Sequence, residues 1–268
     1  MSRDRYNTII DRAKGYIFAG DIFQVVLSKR YSASYRGGFQ RFYLNLRRIN
    51  PSPYMYFLKM NDRFIIGSSP ETLVKVEGDL IETYPIAGTR PVTGNHEKDA
   101  VLEKELLQDP KEIAEHVMLL DLARNDLGKV SEFNTVKVAE FMRIHRYSHV
   151  QHIVSRVIGR LRRGCDCFDA LRAVFPAGTV SGAPKVRAME IIDDLEMVRR
   201  GPYAGAVGYF SYNGNMDFAI TIRTLFAKDG KLHIQVGSGI VADSTAENEW
   251  LETEFKARAL MKALEESE

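Results

Sequence analysis

The stretch VGSGIVADSTAENEWLETEFKAR, Val236–Arg258, decides how the rest of the chain is read. Its pattern predicts a strand, a glycine loop at Gly237–Gly239, a second short strand and then a helix. Ser244 is placed to cap that helix, and Glu247 three residues later completes a capping box. Glu249, Glu252 and Lys256 follow at i, i+3 and i+7, on one helical face. Trp250 and Phe255 lie off that stripe and are expected to pack. Two carboxylates a turn apart, beside a lysine and a pair of glycines, have the makings of a metal and anion site. A solvated helix face over a strand end has the same pattern.

Working outward, the hairpin signals Asn213-Gly214 and Asp229-Gly230 join three preceding sheet segments, YAGAVGYFSYN, MDFAITIRTLFA and KLHIQVGSGIV. Before them come two helices, CFDALRAVF and APKVRAMEIIDDLE, around a loop from Pro176 to Pro184. Strands occupy Val136 to Leu161. The middle of the chain turns helical, with one helix over Asn95–Leu107. A second starts at Asp109-Pro110, with an N-cap, a proline at the first helical position and Glu112 at the capping-box position. Ile113, Val117 and Leu120 mark its apolar face, and Glu112 and Glu115 repeat the Glu-x-x-Glu step. The first third predicts a helix over 3–19, a strand over Ile22–Tyr35, a short helix FQRFYLNLRRI, a hairpin YMYFLKM/RFIIGSS and two more strands turning at Gly78-Asp79. Antiparallel strands interleaved with helices give an α+β fold.

The chain has 268 residues, 37 basic against 35 acidic, and a net charge of +2. That balance points to neither a nucleic-acid nor a membrane-surface partner. No run of about 18 apolar residues marks a membrane span. The beginning, MSRDRYNTII, lacks the apolar core of a signal peptide. The two cysteines, Cys165 and Cys167, are too close to staple distant segments, and two ligands make no zinc site. A reduced, cytoplasmic protein is expected.

Three glycine loops could offer backbone N–H groups to carboxylates: Gly88–Arg90, Gly178–Gly182 and Gly237–Gly239. Arg223, among apolar neighbours in AITIRTLF, needs an anion if buried. Tyr203 and Lys256 could touch the same anion. Glu71, at a strand end, is a candidate general acid. His152 is a candidate catalytic histidine, with His116 and His149 as competitors.

These stretches together resemble the chorismate-utilising enzymes, and among them the large-subunit (component I) branch of the anthranilate synthases. The residues that carry the likeness are GDIFQVVLSKR (20–30), NPSPYMYF (50–57), GSSPETL (67–73), PIAGTRP (85–91), EIAEHVMLLDLARND (112–126), YSHVQHIVSRV (147–157), FPAGTVSGAPK (175–185), GPYAGAVGYFS (201–211), AITIRT (219–224), and GSGIVADS with ENEWLETEFKA (237–257). The resemblance implies a single chorismate-binding catalytic domain over 1–268, a layered α/β sandwich of two largely antiparallel sheets with helices outside. It implies that Glu115 and Glu252 ligate Mg2+ directly, with Glu112 and Glu249 behind them through water. Gly237, Ser238 and Gly239 would give backbone N–H bonds to a substrate carboxylate. Tyr203, Arg223 and Lys256 would grip the enolpyruvyl carboxylate, and Gly88, Thr89 and Thr179 would line the ring.

The activity implied is conversion of chorismate and ammonia to anthranilate and pyruvate, the first committed step of tryptophan biosynthesis. A glutamine amidotransferase subunit would supply the ammonia. Glu71 would protonate the departing hydroxyl and His152 would serve the elimination of pyruvate. Relatives that add water carry lysine where Gln24 stands; glutamine is no general base, so ammonia is the expected nucleophile. Aminodeoxychorismate synthases typically carry a lysine nucleophile where Ala87 stands. Aminodeoxychorismate synthase, weakened by Ala87, and aminodeoxyisochorismate synthase, which shares both switches, stay as alternatives, as does a non-catalytic chorismate-binding fragment. The family usually has a further N-terminal region, expected to be missing here. Pro53, Tyr54 and Met55 match one part of the family's tryptophan inhibitor site.

Overall fold

A computed structural model describes residues 1–35, 37–146 and 150–267. The elements run in the order α1 (Arg3–Phe18), β1 (Gln24–Ser34), α2 (Phe39–Ile49), β2 (Tyr54–Met60), β3 (Arg63–Ser69), β4 (Thr72–Glu77), β5 (Leu80–Thr83), β6 (Ile86–Pro91), α3 (His96–Gln108), α4 (Pro110–Gly128), β7 (Lys137–Arg146), β8 (Val150–Arg160), α5 (Cys167–Val174), β9 (Gly182–Ala183), α6 (Lys185–Leu195), β10 (Ala206–Phe210), β11 (Met216–Ile220), β12 (Thr224–Lys228), β13 (Lys231–Ile240) and α7 (Ala246–Glu265). A 3-10 turn spans Gly178–Val180. The α+β expectation holds: there are two antiparallel sheets plus helices.

The chain divides into two compact units, one of residues 1–71, 180–207 and 219–268, the other of 72–179 and 208–218. The first unit holds a six-stranded sheet in the order β2-β3-β12-β13-β1-β9. Tyr6, Ile9 and Ile10 of α1 pack with Val25 and Leu27 of β1 and Ile191 and Leu195 of α6, with Trp250 against them. A second cluster gathers Phe42 and Leu46 of α2, Ile66, Leu225 and Ile234 of the sheet, and Leu260 and Ala263 of α7. Burying such aliphatic side chains stabilises the fold by about 1.5–3 kcal/mol each.

The seven-stranded sheet runs β10-β11-β4-β5-β8-β6, with β7 also on β8. β8 organises the second unit, pairing with β5, β6 and β7. Helix α4 starts as expected: Asp109 caps it through the N–H groups of Lys111 and Glu112, with Pro110 at its start.

Several local expectations are corrected. MDFAITIRTLFA is two strands, β11 and β12, which belong to different sheets. The break is at Arg223, whose φ of 50° is left-handed and costs an L-residue about 1–2 kcal/mol. Gly237–Gly239 form no loop but continue β13, and Gly88–Arg90 lie within β6, at a bulge between Ala87 and Thr89. Thr245, not Ser244, caps α7; the Ser244 hydroxyl accepts the Val241 N–H instead. Glu247 pairs with Arg3 rather than closing a capping box. Glu112 likewise turns its carboxylate to Arg90. The buried face of α4 is His116, Leu119, Leu120 and Leu127, while Val117 is exposed. Phe255 is also exposed.

Candidate functional site

In the first unit the candidate residues gather along β13. In an antiparallel ladder, facing pairs alternate between exchanging hydrogen bonds and pointing apart. Val26 donates its N–H to Ser181 and Ser28 donates to Glu196, so both point away from β13. Their partners in register, Gly239 and Gly237, therefore also point their N–H groups away from β1. Ser238 faces Leu27 in a bonded pair, which commits its N–H to the ladder. The expected trio of amide donors is thus a pair, Gly237 and Gly239. On their outer side β12 pairs with β13 only from Leu225↔Ile234 onward. The left-handed turn at Arg223 precedes that pairing, and among the described residues no strand borders the Gly237–Gly239 edge on that side.

The two faces of β13 are equally distinct. A Cβ at Gly237 would lie 2.5 Å from the Tyr203 hydroxyl, and one at Gly239 would overlap Gln24 Nε2. Ser238 points to the opposite face, where its hydroxyl meets that of Tyr6 at 2.9 Å. Lys256 reaches from α7 to the Gly237 carbonyl at 2.9 Å and to Glu252 at 2.5 Å. Glu249, one turn earlier, is buried. Burial pushes the Tyr203 hydroxyl up to about 12, against the pull of Arg200 and Arg223. It stays protonated and can donate a hydrogen bond. Arg223 has its charge disfavoured by burial and supported by Tyr203, Glu71 and Glu252. No carboxylate among the described residues lies within ion-pair distance of it. Glu71 sits between β3 and β4, where its carbonyl accepts the Ile220 N–H.

In the second unit β8 carries His152 opposite Thr89 in register. His152 Nδ1 lies 2.9 Å from the Gly88 carbonyl and 3.0 Å from Thr89 Oγ1. A carbonyl only accepts, so Nδ1 holds the proton and Nε2 the lone pair. Gly88 has φ of 66°, and a Cβ there would press on Leu106 and come within 3.0 Å of Glu112 Oε2. Glu112 Oε1 accepts from Arg90 at 3.0 Å, and Arg90 also holds Asp109 at 3.1 Å. Glu115 is half-buried one turn along α4. Thr179, in the 3-10 turn, buries its hydroxyl without a hydrogen-bond partner among the described residues. His116 is committed to the core: fully buried, bonded to Ser155 at 2.7 Å, and held near pKa 4 by burial. His149 lies outside the described residues.

The acidic candidates therefore come as Glu112/Glu115 on α4 and Glu249/Glu252 on α7. No three His, Cys, Asp or Glu among the described residues form a metal-holding group. Oxygen-only pairs suit magnesium, which takes one or two carboxylates and fills the rest with water and substrate oxygens. Sequence reasoning passed over Tyr6, Arg90 and the His116–Ser155 pair. Arg90 stood inside a quoted motif, but nothing in the spacing said that it would hold Glu112. Pro53 precedes the edge strand β2, which Tyr54 and Met55 open.

A family model described as chorismate binding enzyme matches residues 1–262. The chain belongs to the chorismate binding enzyme family. Within that family it is 59% identical over 265 residues to anthranilate synthase component 1 of Methanothermobacter marburgensis, covering 99% of this chain and 58% of the relative. It is 58% identical over 267 residues to the protein of the same name from Acetivibrio thermocellus, covering 100% of this chain and 54% of the relative. The crystal structure of anthranilate synthase component I from Streptococcus pneumoniae superposes with a TM-score of 0.91 at 46% identity, over 97% of this chain and 58% of that one. The chain thus spans little more than half the length of these chorismate binding enzymes.

Proposed function

We propose that the protein is a cytoplasmic, magnesium-dependent lyase that makes anthranilate and pyruvate from chorismate and ammonia. One domain over 1–268 would carry the reaction, and a glutamine amidotransferase subunit would deliver the ammonia. The observation that carries this reading is Arg223. A largely buried guanidinium, held in a costly left-handed conformation with no carboxylate of the described residues in ion-pair range, is a site for an anion from outside. Chorismate is a dicarboxylate. The neighbouring Gly237 and Gly239 amides receive one of its carboxylates, and Arg223, Tyr203 and Lys256 hold the other. Gly88, Thr89 and Thr179 line the ring.

Glu115 and Glu252 would hold magnesium, with Glu112 and Glu249 behind them. Bound there, it would withdraw electron density from the substrate carboxylate. Ammonia adds at ring C2 as the C4 hydroxyl departs with a proton from Glu71. His152 then takes the C2 proton on Nε2, its Nδ1–H held by the Gly88 carbonyl, as the C3–O bond breaks and the ring becomes aromatic; the enolate that leaves takes a proton on its methylene carbon to become pyruvate. Gln24, which cannot activate water, and Ala87, which cannot attack the ring, support anthranilate as the product.

The test is direct. The folded protein mixed with chorismate, ammonium and magnesium develops anthranilate fluorescence. If none appears, this activity does not belong to the chain. Identification of the product by mass separates anthranilate from aminodeoxychorismate and aminodeoxyisochorismate.

A further inference from the structure

Helix α4 and strand β8 are joined inside the second unit by a bond that the proposed chemistry does not use. His116 Nε2 lies 2.7 Å from Ser155 Oγ, and both residues are fully buried. Ser155 Oγ also accepts the Met142 N–H at 3.0 Å, and it keeps both a proton and a second lone pair with which to meet His116 Nε2 in either tautomer. His116 Nδ1 has no hydrogen-bond partner among the described residues. Leaving a buried polar group unpaired costs about 1–3 kcal/mol. An apolar side chain would fill this position at lower cost, so packing alone does not account for a histidine. Met142 is itself unusual. Its φ is 49°, in a stretch where β7 slips register on β8 between Glu140 and Arg143. Bulges of this kind re-aim a group away from the ladder, here toward Ser155. The Ser155 N–H is bonded in turn to the Pro85 carbonyl, just before β6.

Helix α4 and strand β7 thus converge on one hydroxyl of β8. His116 follows Glu115 on α4, and Ser155 lies three residues beyond His152 on β8. We propose that His116 and Ser155 are a positioning pair that fixes the Glu112/Glu115 face of α4 against Gly88 and His152. Neither touches substrate. This rests on the functional reading above. Partners that orient ligating carboxylates typically change metal affinity or activity by about 10- to 100-fold when removed.

The experiment compares the wild-type protein with His116→Gln, His116→Leu and Ser155→Ala. Magnesium affinity is read by calorimetry with magnesium chloride, kcat and KM for chorismate with ammonium, and stability by thermal melting. Ser155→Ala and His116→Leu are expected to weaken magnesium binding and lower kcat by about 10- to 100-fold, with KM for chorismate unchanged because Arg223 and the Gly237 and Gly239 amides are untouched. His116→Gln, whose amide takes the place of Nε2, restores most of both. Variants that melt lower but keep wild-type kcat and magnesium affinity overturn the positioning role. Should His116→Leu fail to fold, Ser155→Ala and His116→Gln decide the matter. A wild-type protein that takes up no magnesium and makes no product overturns the functional reading and this inference together.

Discussion

Gly237 and Tyr203 illustrate how much a single absent methyl decides. A Cβ at Gly237 would meet the Tyr203 hydroxyl at 2.5 Å and the Leu27 carbonyl at 2.9 Å. Gly237→Ala should destabilise the protein by about 1–3 kcal/mol and raise KM for chorismate, read by urea unfolding and steady-state kinetics. An unchanged KM would separate Gly237 from the substrate. On the other face of the same strand, Tyr6 and Ser238 share one bond. Tyr6→Phe and Ser238→Ala should each cost about 1 kcal/mol. Together they should cost little more than either alone, and full additivity in a double-mutant cycle would refute the bond.

At the scale of elements, Arg223 sets function against stability. Arg223→Gly relieves the left-handed backbone, at the expense of a freer unfolded chain, for a net gain of about 1 kcal/mol or less. The melting temperature should hold or rise while chorismate binding is lost. A clear fall in melting temperature would mean that the guanidinium supports the fold. Helix α3 supplies a pH test. Asp99 accepts the Thr93 N–H and hydroxyl, both at 2.7 Å. The bonds from Thr93 hold its carboxyl below the usual range. As pH falls, the unfolded chain takes up this proton first, so the stabilisation is present above about pH 4 and is lost below it. The stability gap between the wild type and Asp99→Asn should therefore narrow as the pH drops through that range. A gap independent of pH would sink the assignment.

The elements themselves were largely legible, because period and punctuation are local. Asn61-Asp62, Asp109-Pro110 and Asp229-Gly230 each placed a turn or a cap correctly. What could not be read depended on partners distant in the chain. Gly237–Gly239 looked like a loop because three small residues resemble one, yet pairing with β1 makes them strand. AITIRTLF looked continuous because its apolar run does not show a single residue with reversed φ. Ser244 and Thr245 are equally good caps by composition, and only the bonds they make separate them: Ser244 takes the Val241 N–H and Thr245 the Asn248 N–H. Residue type and spacing single out Glu249, Glu252, Lys256, Arg223 and His152, and the resemblance adds their roles; the bonds around the candidates, Arg90 on Glu112 and Tyr6 on Ser238, carry no spacing signature.

For the whole molecule, magnesium should behave as a stabilising ligand. At a concentration about a hundred times its dissociation constant it adds about 2.7 kcal/mol, a rise in melting temperature on the order of 5 °C. A chelator should reverse the rise, and Glu115→Ala and Glu252→Ala should each abolish it. Retention of the full shift in either variant would remove that residue from the ligand set. The alternating faces of β13 carry a different consequence. A strand repeats every two residues, so adding or deleting one residue between Lys231 and Val236 would carry Ser238 and its two glycine neighbours to the wrong sides together. This stretch can change by exchange of residues but not by change of length. A library of single-codon insertions and deletions across it should yield no active members, whereas one across the exposed tip at Asn213-Gly214 should yield some.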